Sequence, residues 1–171
     1  MAASKELPSV EVIRKLLSYN PDNGEFRWLP RTDRCHAPAG AIAGGDHNLK
    51  YRQISIFNVR YYSHRLAWKY VYGVDPPDQI DHINNDPSDN RISNLRVSDQ
   101  SQNLANKRRK STAKYPKGVS AISQKRGTWY AVHAGYRGKA IFVGHFPTVE
   151  EASAAYIAKA REIHGEFANA G

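Results

Sequence analysis

The chain has 171 residues, enough for one ordinary domain or two small ones, and 40% of them are hydrophobic. Its 25 Lys and Arg against 16 Asp and Glu leave a formal net charge of +9, which favours a polyanionic partner, either nucleic acid or an anionic membrane. A lone cysteine, Cys35, excludes an internal disulfide and a multi-cysteine zinc site. No run approaches the ~20 apolar residues that span a bilayer, and Met1 to Pro8 holds no apolar segment of secretory-signal length, so an intracellular protein is expected.

Apolar residues at 10, 12, 13, 16 and 17 predict a short amphipathic helix over Val10 to Leu17. Asn20-Pro-Asp-Asn-Gly24 is a turn signal, and Phe26 and Trp28 alternate beyond it as in a strand. Residues 30 to 50 read as loop with one short strand. Tyr51 to Phe57 and Val59 to Tyr62 predict a hairpin around Asn58. His64 to Tyr72 suits a helix stopped by Gly73 and Pro76-Pro77. Ile80 to Asn84 and Leu95 to Ser98 are two short strands around a loop rich in Asn, Asp and Ser, whose side chains can bond the loop's own backbone. Ser98 or Asp99 then caps a helix running to about Asn106.

Lys107 to Lys117 lacks apolar periodicity and reads as a linker between a module over 1–106 and another over 118–171. The second module is predicted as three strands, Gly118–Gln124, Thr128–Ala134 and Lys139–His145. A helix follows, capped by Thr148 with Glu151 at the reciprocal position. Its apolar residues Ala152, Ala155, Tyr156 and Ile163 recur at helical spacing. Charge is uneven: Asp75 to Asp99 has six acids and two bases, whereas Lys107 to Lys117 has six bases and no acid. Gly118 to Val149 has four bases and no acid, and Glu150 to Phe167 has four acids against Lys159 and Arg161.

The chemistry concentrates at Asp81-His82, followed by Asn94 and Asn103. An aspartate oxygen suits a hard divalent cation, and the adjacent imidazole can take a proton near neutral pH. A cation on a phosphate oxygen beside a base that activates water is the minimal kit for phosphodiester hydrolysis. The strand–loop–strand–helix order puts Asp81 and His82 on the first strand and Asn103 on the helix, so the three can converge. His64, at the start of its helix, is read as structural rather than as a ligand. Trp28, Trp68 and Trp129 are read as core.

Asp81-His-Ile-Asn-Asn-Asp86, Asn90-Arg-Ile-Ser-Asn-Leu-Arg96 and Ser101-Gln-Asn-Leu-Ala-Asn106 resemble HNH endonucleases, and His64-Arg-Leu-Ala-Trp68 with Tyr19 to Trp28 is similar to phage-encoded and intron-homing members. The resemblance covers roughly residues 10 to 106. It implies an α+β chain whose first module is a ββα-metal nuclease with His82 as general base and Asp81 and Asn103 as metal ligands. Asn94 would brace the loop. The family pattern ends in histidine, whereas Asn103 stands there, as in homing members. That departure points to magnesium over zinc, with manganese as the alternative ion; no small-molecule cofactor is expected.

From Lys117-Gly-Val119 through Gly127-Thr-Trp-Tyr-Ala131, Val143-Gly-His-Phe146 and His164-Gly-Glu-Phe-Ala168 the chain resembles AP2 DNA-binding domains. That implies a three-stranded antiparallel sheet entering the major groove of double-stranded DNA, with a helix behind it. Strand parity predicts Trp129 and Ala131 packed on the helix, Tyr130 and Val132 facing DNA, and Phe142 outward between Ile141 and Val143. The expected DNA contacts are Lys107, Arg108, Arg109, Lys110 and Lys117 on the linker, with Ser120, Gln124, Lys125, Arg126, Tyr130, Lys139 and Phe142 on the sheet. Ser120 stands where plant members carry a basic residue, so plant specificity is not carried over. Together the modules imply a phage-type homing endonuclease acting as a monomer in an infected or bacterial cell. With one site per chain it nicks one strand. The competing class is a non-catalytic DNA-binding regulator with a relic HNH fold. A membrane-surface role is disfavoured, because the basic residues do not line a helix with a strong apolar face.

Overall fold

The computed structural model describes residues 6–30, 37–46, 51–77, 79–108, 112–124 and 127–169. Cys35, Arg109, Lys110, Lys125, Arg126 and the side chain of Gln124 lie outside the described residues. The chain is a mixed α and β structure of small antiparallel sheets, dividing into two compact units over 1–97 and 98–171.

In the first unit, α1 (Val10–Leu16) is capped by Ser9, whose Oγ accepts the Val12 N–H. Leu17 turns extended (φ −134°, ψ 141°) and starts β1 (Leu17–Asn20), so the helix ends one residue before its apolar pattern does. Strand β1 pairs antiparallel with β2 (Glu25–Trp28), with Leu17 opposite Trp28 and Asn20 opposite Glu25. Their turn is closed by the Gly24 N–H donating to the Asn20 carbonyl and by the Asp22 N–H donating to Asn20 Oδ1.

A three-stranded antiparallel sheet follows, in the order β3 (Gly45–Asp46), β4 (Arg52–Ile56), β5 (Val59–Tyr62). Its β4–β5 hairpin turns through Phe57 and Asn58, both with positive φ (50° and 62°), the pattern that matches strand twist in two-residue loops. Helix α2 (Ser63–Tyr72) ends on Gly73 in the left-handed region, whose N–H bonds the Lys69 carbonyl. Strands β6 (Gln79–His82) and β7 (Leu95–Ser98) form a two-stranded sheet, and a 3-10 turn over Ile92–Asn94 leads into β7. Ile13, Leu17, Phe26, Ile54, Ile56 and Leu66 are the centre of this unit's core, which also holds Ile80 and Leu95.

In the second unit, α3 (Gln100–Asn106) begins with a full capping box: Asp99 Oδ1 accepts the Gln102 N–H at 2.7 Å while Gln102 Oε1 accepts the Asp99 N–H at 2.8 Å. Strands β8 (Val119–Gln124), β9 (Gly127–Tyr136) and β10 (Lys139–Phe146) form an antiparallel sheet with β9 in the middle. Helix α4 (Val149–His164), capped by Thr148 Oγ1 accepting the Glu151 N–H, presses Ala152, Tyr156 and Ala160 onto Val119, Val132 and Ala134. Gly118 (φ 74°) permits this closeness: a Cβ there would fall 2.2 Å from the Tyr156 ring.

The facing of β9 is the reverse of the parity expected from sequence. Val132 and Ala134 are in the core with Tyr130 packed against them, while Trp129 is 37% exposed. Because Val119 pairs with Val132 and both lie under α4, period-two alternation turns Trp129 and His133 to the other side. Ala131 is buried without being part of that core cluster. On β10, Phe142 is exposed and Val143 packs inward, with a bulge between Phe142 and Gly144. Among the described residues, no helix is long and apolar enough to cross a membrane.

Candidate active site

Strand β6 delivers Asp81 and His82 as buried polar residues, an arrangement that requires partners. Asp81 finds Arg96 on β7: Nε and Nη2 both donate to Asp81 Oδ2, at 3.1 and 3.0 Å, and both side chains are nearly buried. Removing one partner of such a pair leaves a buried charge uncompensated, so each holds the other in place. His82 finds Asn90, whose Oδ1 lies 3.3 Å from Nε2. Asn90 is 2% exposed and donates from Nδ2 to the Ser88 carbonyl, which orients its oxygen toward the imidazole. A carbonyl-type acceptor at Nε2 assigns the proton of the neutral ring to that nitrogen and leaves Nδ1 as the acceptor.

Burial lowers the His82 pKa from its ordinary value, opposed by the Asn90 hydrogen bond and then by the charges of Asp81, Asp89 and Asp86. The neutral, proton-accepting ring is therefore favoured at neutral pH. His64, on α2, meets His82 edge to face with ring centroids 5.2 Å apart, and burial pushes it down to about 3. Its Nδ1 is buried with no hydrogen-bond partner.

The loop between β6 and β7 is held by its own side chains. Asn94 Oδ1 accepts the Asn84 N–H (3.1 Å), and its Nδ2 donates to Asn84 Oδ1 (3.0 Å) and to the Asp89 carbonyl (2.9 Å). Asn84 Nδ2 donates to Asp89 Oδ2, and Arg91 pairs with the same carboxylate at 2.6 Å; the Arg91 bonds hold Asp89 down to about 2. The β1–β2 hairpin buttresses this loop. Tyr19 Oη donates to the Asn90 carbonyl at 2.8 Å, and burial raises that phenol to about 12. Gly24 (φ 75°) approaches so closely that a Cβ would fall 2.5 Å from the Arg91 nitrogen.

Within the first unit Asp81 is paired with Arg96, His82 is bonded to Asn90, and Asn94 braces the loop that carries Asn90. Asn90 and Asn94 are equally plausible turn residues in sequence, and only the fold shows which one faces the imidazole. Asn103 is on α3 in the second unit, half-buried, with its N–H bonded to the Asp99 carbonyl.

Of the residues expected to touch DNA, Lys107, Arg108, Ser120 and Lys139 are exposed and Phe142 is 53% exposed. Tyr130 instead lies half-buried on the core side of β9. Lys117 also departs from expectation: its Nζ donates to the carbonyls of Leu104, Ala105 and Lys107, capping the end of α3. Three donors on three carbonyls satisfy the ammonium at the end of the helix.

Residues 61–105 match the family model of HNH endonucleases and carry that domain. The chain is 35% identical over 107 residues to an uncharacterized HNH endonuclease of Acanthamoeba polyphaga mimivirus, across 61% of this chain and 54% of that protein. It therefore spans about half the length of that relative. No solved structure matches. Both matches are to HNH endonucleases, which generally use a divalent metal ion.

Proposed function

We propose that the protein is a DNA endonuclease that hydrolyses one phosphodiester per bound monomer, with His82 as the general base. The observation that carries this reading is the buried His82 held by Asn90 through Nε2 within a loop braced by Asn94. Nδ1 of His82 takes a proton from water as the water oxygen bonds to phosphorus in line. The bond from phosphorus to the 3′-oxygen breaks and that oxygen takes a proton from solvent, leaving a 5′-phosphate and a 3′-hydroxyl.

Asp81 offers a hard carboxylate oxygen, and no group of three or more His, Cys, Asp or Glu among the described residues could hold a metal ion. A hard carboxylate donor completed by water fits magnesium or manganese rather than zinc. Asp81 would hold such an ion, which would supply neutralisation of the charge that develops on phosphorus and on the departing oxygen.

The functional division we infer is a nuclease over 1–106, a basic linker over 107–117 and an AP2-like DNA-binding module over 118–171, as in phage-type homing endonucleases. Its support is the three-stranded sheet backed by α4, with Trp129, His133 and Phe142 exposed and no acid between Gly118 and Val149. Side chains on that face would read base edges, and the linker cations would follow phosphates and make affinity salt-dependent.

The alternative is a DNA-binding regulator that does not cut. It draws on the Asp81–Arg96 pair, which engages an oxygen that a cation would use. Supercoiled plasmid incubated with the wild type and with His82→Ala, with magnesium and with EDTA, separates the two. Magnesium-dependent nicking by the wild type alone supports the nuclease. Equal plasmid binding with no nicking by either supports the regulator.

A further inference from the structure

Beside His82 the first unit holds a continuous group of rings that the proposed hydrolysis does not use. Tyr51 is 6.0 Å from His82, 5.5 Å from His64 and 5.8 Å from Tyr62 between ring centroids. Tyr62 in turn lies 5.5 Å from His64 in a stacked arrangement, with 17° between planes. The group grades from solvent to interior: Tyr51 is 41% and Tyr62 38% exposed, whereas His64 and His82 are buried. Single exposed aromatics are ordinary. Two in mutual edge-to-face contact, at 69° between planes, with one of them beside the imidazole assigned as base, give an exposed aromatic surface next to the reacting position.

The surroundings select the occupant. Arg60 is exposed and stands two residues before Tyr62 on β5, hence on the same side of the strand. A flat, neutral ring attached to an anionic backbone satisfies both the tyrosine faces and the Arg60 cation. In paired duplex a base shows only its edges, so a ring face can reach Tyr51 only from a base that has left the stack.

We propose that Tyr51 and Tyr62 form a stacking subsite for one unpaired nucleobase of the strand being cut, next to the scissile phosphate. The proposal deepens the nuclease reading and rests on its placement of the scissile phosphate at His82. The subsite makes a weakly paired or distorted step the preferred place of cleavage, because the base must be extruded to fill it. It also fixes the backbone beside the imidazole, so the ring pair positions the phosphate without joining the proton transfer.

The test uses the full-length protein in EDTA, where no cutting is needed, and duplexes carrying 2-aminopurine either paired with thymine or opposite an abasic site. Anisotropy of a dye on the same duplexes reports total binding. The wild type is expected to quench the unpaired 2-aminopurine at least about 3-fold more than the paired one. Tyr51→Ala and Tyr62→Ala should each weaken capture of the unpaired base by about 10-fold while total binding of paired duplex stays unchanged. Tyr51→Phe and Tyr62→Phe should behave as wild type, since the ring and not the hydroxyl stacks. Tyr51→Leu keeps the volume without the π face and decides the matter if the alanine variant does not fold.

Equal signals for paired and unpaired probes in the wild type would overturn the proposal, as would a Tyr51→Leu variant that quenches normally. Quenching without magnesium-dependent plasmid nicking would retain the subsite and remove the nuclease reading. Nicking without selective quenching would do the reverse.

Discussion

Asn90 Oδ1 lies 3.3 Å from His82 Nε2 while Asn90 Nδ2 is spent on the Ser88 carbonyl, so one buried amide sets both the orientation and the tautomer of the imidazole. Asn90→Leu, close in volume but without the acceptor, should slow nicking by about 10- to 100-fold and lower stability by about 1–3 kcal/mol, because His82 Nε2 is left buried without a partner. Nicking rates at saturating DNA, with urea melts alongside, measure both. Unchanged nicking would remove Asn90 from the site.

His82→Ala should keep DNA affinity within a few-fold and lose about 10²- to 10⁴-fold in cleavage. Burial lowers the wild-type His82 pKa from 6.5, so the proton-accepting form persists to more acid pH than for a free histidine. The acid limb of the single-turnover rate should therefore have its midpoint below pH 6.5. A midpoint above that value would contradict the assignment of His82 as the limiting base.

Acid stability should report His64. Burial holds the folded-state value at about 3 against 6.5, so between those values the unfolded chain binds a proton that the folded chain refuses. This contribution is complete above pH 6.5 and is lost as pH falls, at about 1.4 kcal/mol per pH unit down to about pH 3. His64→Phe should flatten the slope of unfolding free energy between pH 6 and pH 4 by about that amount per unit. Identical slopes for variant and wild type would show that His64 titrates freely.

Lys117 closes α3 with bonds to three carbonyls, at 3.3, 2.5 and 2.7 Å. Lys117→Met preserves the stem and removes the donors, with an expected loss of about 1–3 kcal/mol in urea melts. Nonspecific DNA affinity and its salt slope should stay as in the wild type. A slope reduced by about one unit would instead make Lys117 a phosphate contact.

Much of this architecture is legible in the chain because local chemistry decides it. The cap ahead of α3 at Asp99, the Thr148 cap, the stop at Gly73 and the side-chain-bonded loop over 83–94 each follow from residues a few positions apart. What the sequence hides depends on partners distant in the chain. That Asn90 is the residue facing the imidazole shows only once β6 and β7 pair, and Arg96 is one basic residue among many until it stands across from Asp81. On β9 both alternating sets contain a large aromatic and a small or branched residue, so periodicity alone cannot choose the face. The contact of Val119 and Val132 with α4 makes that choice. Lys117 reads as one more cation of a basic run because the end of the preceding helix is invisible in composition.

The Tyr19 phenol on the Asn90 carbonyl and the fit of Gly24 against Arg91 mean that the scaffold of the base begins some 40 residues before the segment that matches the family. The segment 61–105 cut out alone would carry the histidine and forfeit the clamp that aims it. Grafting or truncation should therefore treat the first hairpin as part of the catalytic unit, and a side chain larger than hydrogen at position 24 should act on turnover without ever touching DNA.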